Sequence, residues 1–460
     1  MDVKTLKGFK DYLPKDSLIR IHIVRQIFSV LNSYNFDLID TPVLEYSELL
    51  LKKSGDESEK QIYRFKDHGG RDVSMRFDLT VPFARFVATN ISDLKFPFRR
   101  SQFGKVFRGE NSQKGRYREF MQFDFDIVGE DSFRADAEIL SVVYYGLEEI
   151  FLNFIEGINK KFIIHYSHLG ILNSFFEKLG IKEESIFILR NIDKIDKIGI
   201  DKVKEALLLK IEKEAVDSIL SLVSLQGTFK DKIQALKSIL GDNESVKRVE
   251  DVYRHLSLLK IQDSFNLNLK ISRGLDYYTG IVFESEIFGS NMGSVCSGGR
   301  YDNLVSSYSS SIQKVSGVGG SFGVDRIKDI IDLEKFSYIK IFVTKARSKV
   351  LIVNLDSTLQ NYYYELATRF RNHDYSKVKN ISCEVYFKNK NGKNIKEQIE
   401  YALNKEIRFL VFVGQEEYKE NKIKVRDLTK KRSCCFLLKR QSMLSNAMKS
   451  YCALLFNLKR

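Results

Sequence analysis

Apolar residues near the N-terminus recur with the period of an α-helix. The pattern predicts an amphipathic helix over residues 17–34, with Asp16 or Ser17 as its cap. Asn35 follows at the position where a left-handed residue would close this helix, and asparagine tolerates that conformation better than most residues. The predicted apolar stripe consists of four residues spaced three or four apart: Ile21, Val24, Phe28 and Leu31.

Strand patterns follow the first helix. Residues 36–45 predict a strand that Pro42 interrupts, which favours an edge position or a bulge. Residues 73–128 predict strands and loops, including the stretch 73–86 (VSMRFDLTVPFARF). Strict alternation over 119–129 predicts an antiparallel sheet whose polar face can line a site. The apolar face carries Phe123, Phe125 and Ile127, and the polar face carries Gln122, Asp124 and Asp126.

The remaining pattern divides the chain into regions. Helical spacing returns over 132–160, and the Lys-, Leu- and Ile-rich region 170–260 predicts a helical insertion without a chemical motif. Strands resume at Asn268 and continue to Arg326. Alternating elements after residue 337 predict a separate α/β domain, with strands at 337–344, 382–387 and 408–414 and helices at 358–372 and 394–404. The predicted domains are a core (1–169 and 261–330), the insertion (170–260) and the α/β domain (337–460).

Composition and charge indicate the class of protein and the kind of partner. At 460 residues, 43% hydrophobic and 29% charged, the chain has the composition of a soluble globular protein with two or three domains. It contains no apolar run near the ~18 residues that span a membrane, and its first residues lack the apolar core of a signal peptide. Five cysteines without CxxC spacing favour reduced thiols in the cytoplasm. The net charge of +14 favours a polyanionic partner, although a lysine-rich surface alone also produces such a charge.

Candidate chemistry is concentrated in four stretches. They are FRGENSQKGRYREFMQFDFDIVG (107–129), RGLDYYTG (273–280), SGGRYDNL (297–304) and GVGGSFGVDRI (317–327). Arginine provides a planar fork for phosphate or carboxylate, and tyrosine provides a flat wall with a hydroxyl. RGLDYYTG therefore suits a small polar substrate that carries a phosphate, the alternative being a strand with an exposed arginine and core tyrosines. P-loop, Rossmann and zinc-protease motifs are absent from the sequence.

These four stretches, in this order, resemble the histidyl-tRNA synthetases, a family of class II aminoacyl-tRNA synthetases. Phe107–Glu110 resembles the start of class II motif 2, and Gly323–Arg326 resembles motif 3. RGLDYY and GGRYD are similar to two elements peculiar to the histidine enzymes, and the N-terminal GFKDYLP (Gly8–Pro14) also fits the family. The helix, strand and proline of residues 17–45 resemble motif 1, the dimer-forming element.

The resemblance implies a fold and a reaction. The fold is an α+β catalytic core on a mixed, mainly antiparallel sheet, with a helical insertion and a C-terminal α/β anticodon-binding domain. The reaction activates histidine with ATP to histidyl-adenylate and pyrophosphate, and then transfers histidine to the 3′ end of tRNA(His). ATP is a substrate and Mg²⁺ accompanies its phosphates, with no protein ligand assigned. The implied protein is a cytoplasmic homodimer with no membrane association.

Three other functions compete with this interpretation. A non-charging paralogue, such as a regulatory or histidine-sensing subunit, would share the core, but such proteins commonly lose motif arginines or the C-terminal domain. A plain RNA-binding protein would explain the charge without the RGLDYY and motif 3 stretches. A threonine or proline ligase would lack RGLDYY.

The resemblance also assigns residues to histidine. Asp78 and Thr80 would hold the α-ammonium group together with Gln122, although many bacterial family members have Glu in place of Asp78. Asp126 and Tyr278 would read the imidazole, with Tyr277 beside them. Neutral imidazole has one donor and one acceptor nitrogen, so a carboxylate and a phenol suit it. A simpler interpretation of residues 78–80 is a capping pair at the end of a strand.

For ATP, the resemblance assigns Arg108 and Arg273 to the α-phosphate as catalytic residues. Arg116 would reach the γ-phosphate and Arg326 would stack on adenine. The remaining assignments are Glu110 as acceptor from the adenine amino group, Phe120 as the other face of the stack, and Gln113 with Arg116 as contacts to the tRNA acceptor end in the loop 111–118.

Overall fold

The computed structural model divides the chain into two compact units, residues 1–336 and 337–460. It describes residues 3–52, 59–113, 115–154, 162–272, 277–290, 292–308, 314–333, 349–372, 381–387, 394–429 and 432–437. Each unit is built around its own main sheet.

The first unit is centred on an eight-stranded sheet. Its strands are β1 (Asp37–Leu38), β5 (Phe98–Phe107), β6 (Glu119–Val128), β7 (Phe162–His168), β8 (Phe265–Leu267), β9 (Ile281–Ile287), β10 (Cys296–Tyr301) and β11 (Gly317–Gly323), and a smaller sheet contains β2 (Leu44–Tyr46), β3 (Arg64–Lys66) and β4 (Asp72–Met75). The strand order of the large sheet is β1-β5-β6-β11-β10-β9-β7-β8. Only the terminal pairs, β1 with β5 and β7 with β8, are parallel. The mixed, mainly antiparallel sheet is therefore confirmed.

Helices surround this sheet and fill the region between β7 and β8. Their bounds are Pro14–Ser33, Ser47–Leu51, Thr80–Thr89, Phe133–Phe154, Leu169–Lys178, Ser185–Ile192, Ile195–Ile198, Ile200–Leu208, Lys213–Val223, Phe229–Leu240, Glu244–Leu258 and Val324–Leu333. The region predicted to be helical, 170–260, contains helices and short 3₁₀ turns. Side-chain caps stabilise the N-terminal ends of two of these helices. Asn243 accepts the backbone N–H groups of Ser245 and Val246, and Thr228 forms a capping box with Asp231. That this region is a separate domain stays a prediction.

The N-terminal helix differs from its prediction in two respects. It begins at Pro14 and has no side-chain cap, because proline itself suits the first helical position, so Asp16 and Ser17 are not its caps. Its buried face consists of Ile19, Ile23, Val24, Ile27 and Leu31. Ile21 and Phe28, predicted to belong to the apolar stripe, are exposed. Asn35 has φ of 60° directly after the helix, which confirms the predicted left-handed residue.

Two strand predictions had different outcomes. The strand predicted at 36–45 is interrupted at Pro42, with β1 at the edge of the large sheet and β2 in the small one. The strand-and-loop prediction for 73–86 is wrong in its second half, because Thr80–Thr89 is a helix. Asp78 starts it by accepting the N–H groups of Thr80 and Val81 at 3.1 and 2.9 Å.

The second unit contains a five-stranded mixed sheet, as predicted for an α/β domain. Its strands are β12 (Val350–Ile352), β13 (Cys383–Val385), β14 (Phe409–Phe412), β15 (Lys422–Asp427) and β16 (Arg432–Leu437), and its helices are Gln360–Asn372, Ile395–Asn404 and Gln415–Lys419. The order is β13-β12-β14-β15-β16, with parallel pairing among the first three strands. The strand predicted at 337–344 lies outside the described residues. Across both units, no helix in the described ranges is long and apolar enough to span a membrane.

Candidate active site

A cavity of about 400 Å³ opens on the large sheet of the first unit. It brings together most of the residues assigned from the sequence: Asp78, Thr80, Arg108, Glu110, Arg116, Phe120, Gln122, Asp126, Tyr277, Tyr278 and Arg326. Gln113 does not line the cavity; its backbone pairs with that of Arg116 through hydrogen bonds of 3.1 and 2.8 Å. Arg273 lies outside the described residues.

The floor of the cavity comes from the polar face of β6. Gln122, Asp124 and Asp126 line the cavity, whereas Phe123 and Phe125 are fully buried. This arrangement confirms the alternation predicted for β6. Register places Gly319 of β11 beside Asp126, and a Cβ on this glycine would collide with Asp126 Oδ1 and lie 2.5 Å from the Phe125 carbonyl oxygen. Glycine is therefore required for β11 to approach the acid.

Arg100 is a site residue that the sequence analysis missed. It lies opposite Asp126 in the β5–β6 register and is completely buried. Its Nη2 is 3.0 Å from Asp126 Oδ2 and 3.7 Å from Asp124 Oδ2, and it donates to the Leu79 carbonyl at 3.2 Å. One guanidinium thus faces two buried carboxylates. No motif marked Arg100, because its partners are set by strand register rather than by local spacing.

The buried acids of the cavity have raised pKa values. Burial raises the pKa of Asp124 to about 7, against the opposing attraction of Arg100. Burial also raises the pKa of Asp126, while Arg100 and the hydroxyl of Tyr301 favour its ionised form. Tyr301 donates to Asp126 Oδ1 at 2.6 Å. Tyr301, from the GGRYD stretch, thus contacts Asp126 in this structure, although the sequence analysis did not assign it to the site.

Asp78 and the tyrosines form a neighbouring wall. Asp78 is buried, its pKa is raised by that burial, and it caps the helix Thr80–Thr89. The simpler interpretation of residues 78–80 as a capping pair at a strand end is correct only for Asp78, which accepts the first N–H groups of a helix, and the same carboxylate also lines the cavity. Tyr277 and Tyr278 have ring centroids 4.8 Å apart, and Tyr277 meets Tyr301 edge-on at 6.2 Å.

Arg108 is held between two aromatic rings. Its guanidinium carbon is 4.5 Å from the centroid of Phe77 and 5.1 Å from that of Phe120. Its Nε donates to the Phe77 carbonyl at 3.1 Å. This arrangement fixes the plane of the guanidinium and directs a permanent positive charge at the cavity.

The loop that follows Arg108 is attached to the N-terminal segment. The N–H of Arg118 donates to the Gly8 carbonyl at 2.8 Å, and its Nε donates to the Glu110 carbonyl at 3.1 Å. Gly8 has φ of 87°, in the region that favours glycine, and a Cβ there would meet the Arg118 side chain. Within the loop, Arg116 lies 3.8 Å from Glu110 and is about half exposed. GFKDYLP therefore supports the loop, a role the sequence did not reveal.

Arg326 links two other segments of the cavity lining, those of Gly115 and Ser294. It donates to the carbonyl of Gly115 at 3.3 Å and to that of Ser294. The preceding residue, Asp325, accepts the Met121 N–H at 2.7 Å and lies 2.6 Å from Arg20 Nε. These contacts tie the helix Val324–Leu333 to β6.

The region 170–260 also contributes to the cavity. Asp193 and Lys197, which flank the start of the short helix Ile195–Ile198, both line it. The sequence analysis found no chemical motif in this region, because two charged residues four apart are common on any helical surface. Their participation depends on how the insertion packs against the core.

Taken together, the cavity combines buried carboxylates and phenols at one part of its lining with three arginines at another. The first group suits an amino acid with a polar side chain, and the second suits phosphate. Among the described residues, no group of three or more His, Cys, Asp or Glu side chains is arranged to hold a metal ion.

Both units match families of known proteins. The family described as histidyl-tRNA synthetase matches residues 8–327, and the family described as anticodon binding domain matches 349–444. The histidine–tRNA ligase of Borrelia garinii subsp. bavariensis is 98% identical over 431 residues, covering 94% of each chain, and that of Helicobacter hepaticus is 41% identical over 438 residues, covering 93% of this chain and 94% of its own. The crystal structure of histidyl-tRNA synthetase from Nostoc sp. PCC 7120 superposes with a TM-score of 0.78 at 28% identity, covering 98% of this chain and 100% of that one.

Proposed function

This chain belongs to the histidyl-tRNA synthetase family and is a ligase that joins histidine to tRNA, and we propose that the cavity described above binds its histidine and ATP. The observation that carries this proposal is the convergence of β6, the Arg108 loop and Arg326 on one cavity. The family match over 8–327 and the second match over 349–444 favour the ligase over a non-charging paralogue, which commonly lacks one of these parts.

Histidine is assigned to the carboxylate and phenol wall. Asp78, Thr80 and Gln122 would surround the α-ammonium group. Gln122 Oε1 is buried and accepts no hydrogen bond from any described residue, so it is an acceptor that matches an incoming N–H donor. The resemblance gives the imidazole to Asp126 and Tyr278, with Tyr277 as a wall. Asp126 Oδ1 already accepts from Tyr301, which orients the acid for this role.

ATP is assigned to the arginine side. Attack of the histidine carboxylate on the α-phosphorus needs no general base, because the nucleophile is already ionised. The barrier comes largely from repulsion between two anions and from charge growth on the phosphoryl group, which fixed cations reduce. Arg108, fixed between two rings, would act on the α-phosphate together with Arg273, the residue that the family motif supplies.

The remaining contacts hold the nucleotide. Arg326 and Phe120 would enclose adenine, and Glu110 would accept from its amino group. Arg116, half exposed and weakly paired with Glu110, is free enough to turn to the γ-phosphate. Mg²⁺ would arrive with the ATP phosphates as part of the substrate and reduce their negative charge.

We further infer the partners of the reaction. The transfer step would bring the 3′ end of tRNA(His) to the loop 111–118, with Gln113 and Arg116 as contacts, and the unit 337–460 would bind the anticodon. The basic chain, with a net charge of +14, suits a polyanion. Two copies would associate as a cytoplasmic homodimer through residues 17–45, the element that resembles motif 1.

ATP–pyrophosphate exchange across the amino acids tests the proposal. A site built from buried hydrogen-bonding groups rejects analogues that lack those groups by ~10⁴-fold or more. Histidine should exceed phenylalanine and glutamine by at least that order in kcat/KM. Equal exchange with another amino acid would refute the assignment of the pocket. Exchange with histidine but no charging of tRNA would indicate the non-charging paralogue instead.

A further inference from the structure

Lys197 is a cation at the cavity that belongs to the helical insertion. We propose that it binds the polyphosphate of ATP and thereby makes the insertion part of the nucleotide site. The inference rests on the proposed function of the cavity and extends it to a residue outside the class II motifs. Three observations carry it: the position of Lys197, the way its segment is fixed, and its pairing with Asp193.

The position of Lys197 complements the other cations. Three arginines line the cavity: Arg108 directly follows β5, Arg116 lies in the loop between β5 and β6, and Arg326 lies in the helix after β11. Lys197 enters from residues 170–260, far from these elements in sequence. The ammonium of lysine is a compact point charge on a long flexible stem, which suits the oxygens of a phosphate chain.

The segment that carries Lys197 is attached to the core beside the site. Ser272 Oγ donates to the Leu189 carbonyl at 2.7 Å, and Lys270 Nζ lies 3.0 Å from Asp196 Oδ1. Leu189 and Tyr278 both pack on a small apolar cluster that includes Ile271. Residues 270–272 directly precede Arg273 in the chain. The insertion is therefore tied to the same short segment that the family motif assigns to the α-phosphate.

Asp193 provides a negative charge beside Lys197 that a phosphate group of ATP would replace. Its Oδ2 is 3.3 Å from Lys197 Nζ, one helical turn away, and the Lys197 side chain is 64% exposed. An exposed pair of this kind is weak, so a polyphosphate carrying several negative charges displaces the single carboxylate at small cost. The described acids of the cavity lining include Glu284 of β9 as well as Asp193, and Asp193 pairs with Lys197. The carboxylate of Asp193 therefore competes with a phosphate group for Lys197.

Variants of this pair test the proposal against a matched control. Lys197→Met should raise the KM for ATP in pyrophosphate exchange by about two- to five-fold, the range for one partly exposed charge, and leave the KM for histidine unchanged. Lys197→Arg should restore most of the affinity. Asp193→Asn should lower the KM for ATP, because it removes the competing acid. Lys182→Met, which removes an equally exposed lysine of the insertion that pairs with Glu177 away from the cavity, should change neither constant.

Direct titration of ATP binding separates this inference from the proposed function. The Kd for ATP, measured without histidine, should follow the same order among the variants even if the amino acid specificity were misassigned. Failure of the wild-type chain to exchange with histidine would refute the proposed function alone. The inference itself is overturned if Lys197→Met and Lys182→Met bind ATP equally, or if the Lys197 defect is confined to transfer from preformed adenylate to tRNA.

Discussion

Replacement of Arg100 by methionine tests the electrostatic arrangement beneath the cavity. The guanidinium is fully buried, pairs with Asp126 at 3.0 Å and with Asp124 at 3.7 Å, and lies 4.4 Å from the Phe83 ring centroid. Methionine fills much of the same volume but leaves both carboxylates without their cation. Removal of one partner from a buried ion pair costs about 3–5 kcal/mol of folding stability. In a unit of this size we expect the melting temperature to fall by roughly 4–7 °C.

The adjacent residue on the same strand provides the control. Arg99 pairs with Glu138 at 2.8 Å, but both side chains are about one quarter exposed, so Arg99→Met should cost no more than about 1 kcal/mol. Combining Arg100→Met with Asp124→Asn should recover part of the loss, because only one carboxylate then lacks a cation. The deficit of the single variant should also be smaller at pH 5 than at pH 8, since protonation neutralises the unpaired acids.

Thermal unfolding of the wild type and these three variants at the two pH values, with ATP–pyrophosphate exchange as a readout of the site, measures these effects. Two results would refute the reasoning. One is an equal loss of stability for Arg99→Met and Arg100→Met, and the other is a deficit of Arg100→Met that does not change with pH.

Three further predictions follow from the site. Asp124 has a raised pKa, so the native state binds its proton more tightly than the unfolded state, and the free energy of unfolding should fall as pH rises from about 4 to about 7. In denaturation curves, Asp124→Asn should flatten this pH dependence and gain about 2–4 kcal/mol of stability over wild type above pH 7. Gly319→Ala should weaken histidine binding at least ten-fold in calorimetry by displacing Asp126, whereas unchanged affinity would contradict the close packing. Arg108→Met should slow adenylate formation by ~10²-fold in single-turnover assays with little change in histidine affinity.

The sequence predicted those parts of the site that depend on local pattern. Alternation in β6 identified Gln122, Asp124 and Asp126 as one polar face, and the family motifs identified the arginines that converge on it. The pattern failed where the local signal was ambiguous. Strand and loop were predicted over 73–86, but the carboxylate of Asp78 supplies acceptors for the first free N–H groups and a helix forms over Thr80–Thr89 instead.

Contacts between distant segments were beyond the sequence pattern. Arg100 becomes important only when strand register places it opposite Asp126, and Tyr301 only when β10 brings its hydroxyl to the same acid. Lys197 reaches the cavity because the insertion packs beside residues 270–272. Each of these contacts depends on tertiary geometry that a single sequence does not encode in its local spacing.

The bond between Gly8 and Arg118 has a mechanical consequence. Gly115, Arg116 and Tyr117 of the loop that follows Arg108 line the cavity, and a displacement of Arg118 would either break its 2.8 Å hydrogen bond to Gly8 or carry the segment around Gly8 with it. Because Arg118 also donates to the Glu110 carbonyl, one arginine joins both ends of the loop to the segment around Gly8. We therefore expect the segment around Gly8 to limit how far this loop can move away from the cavity.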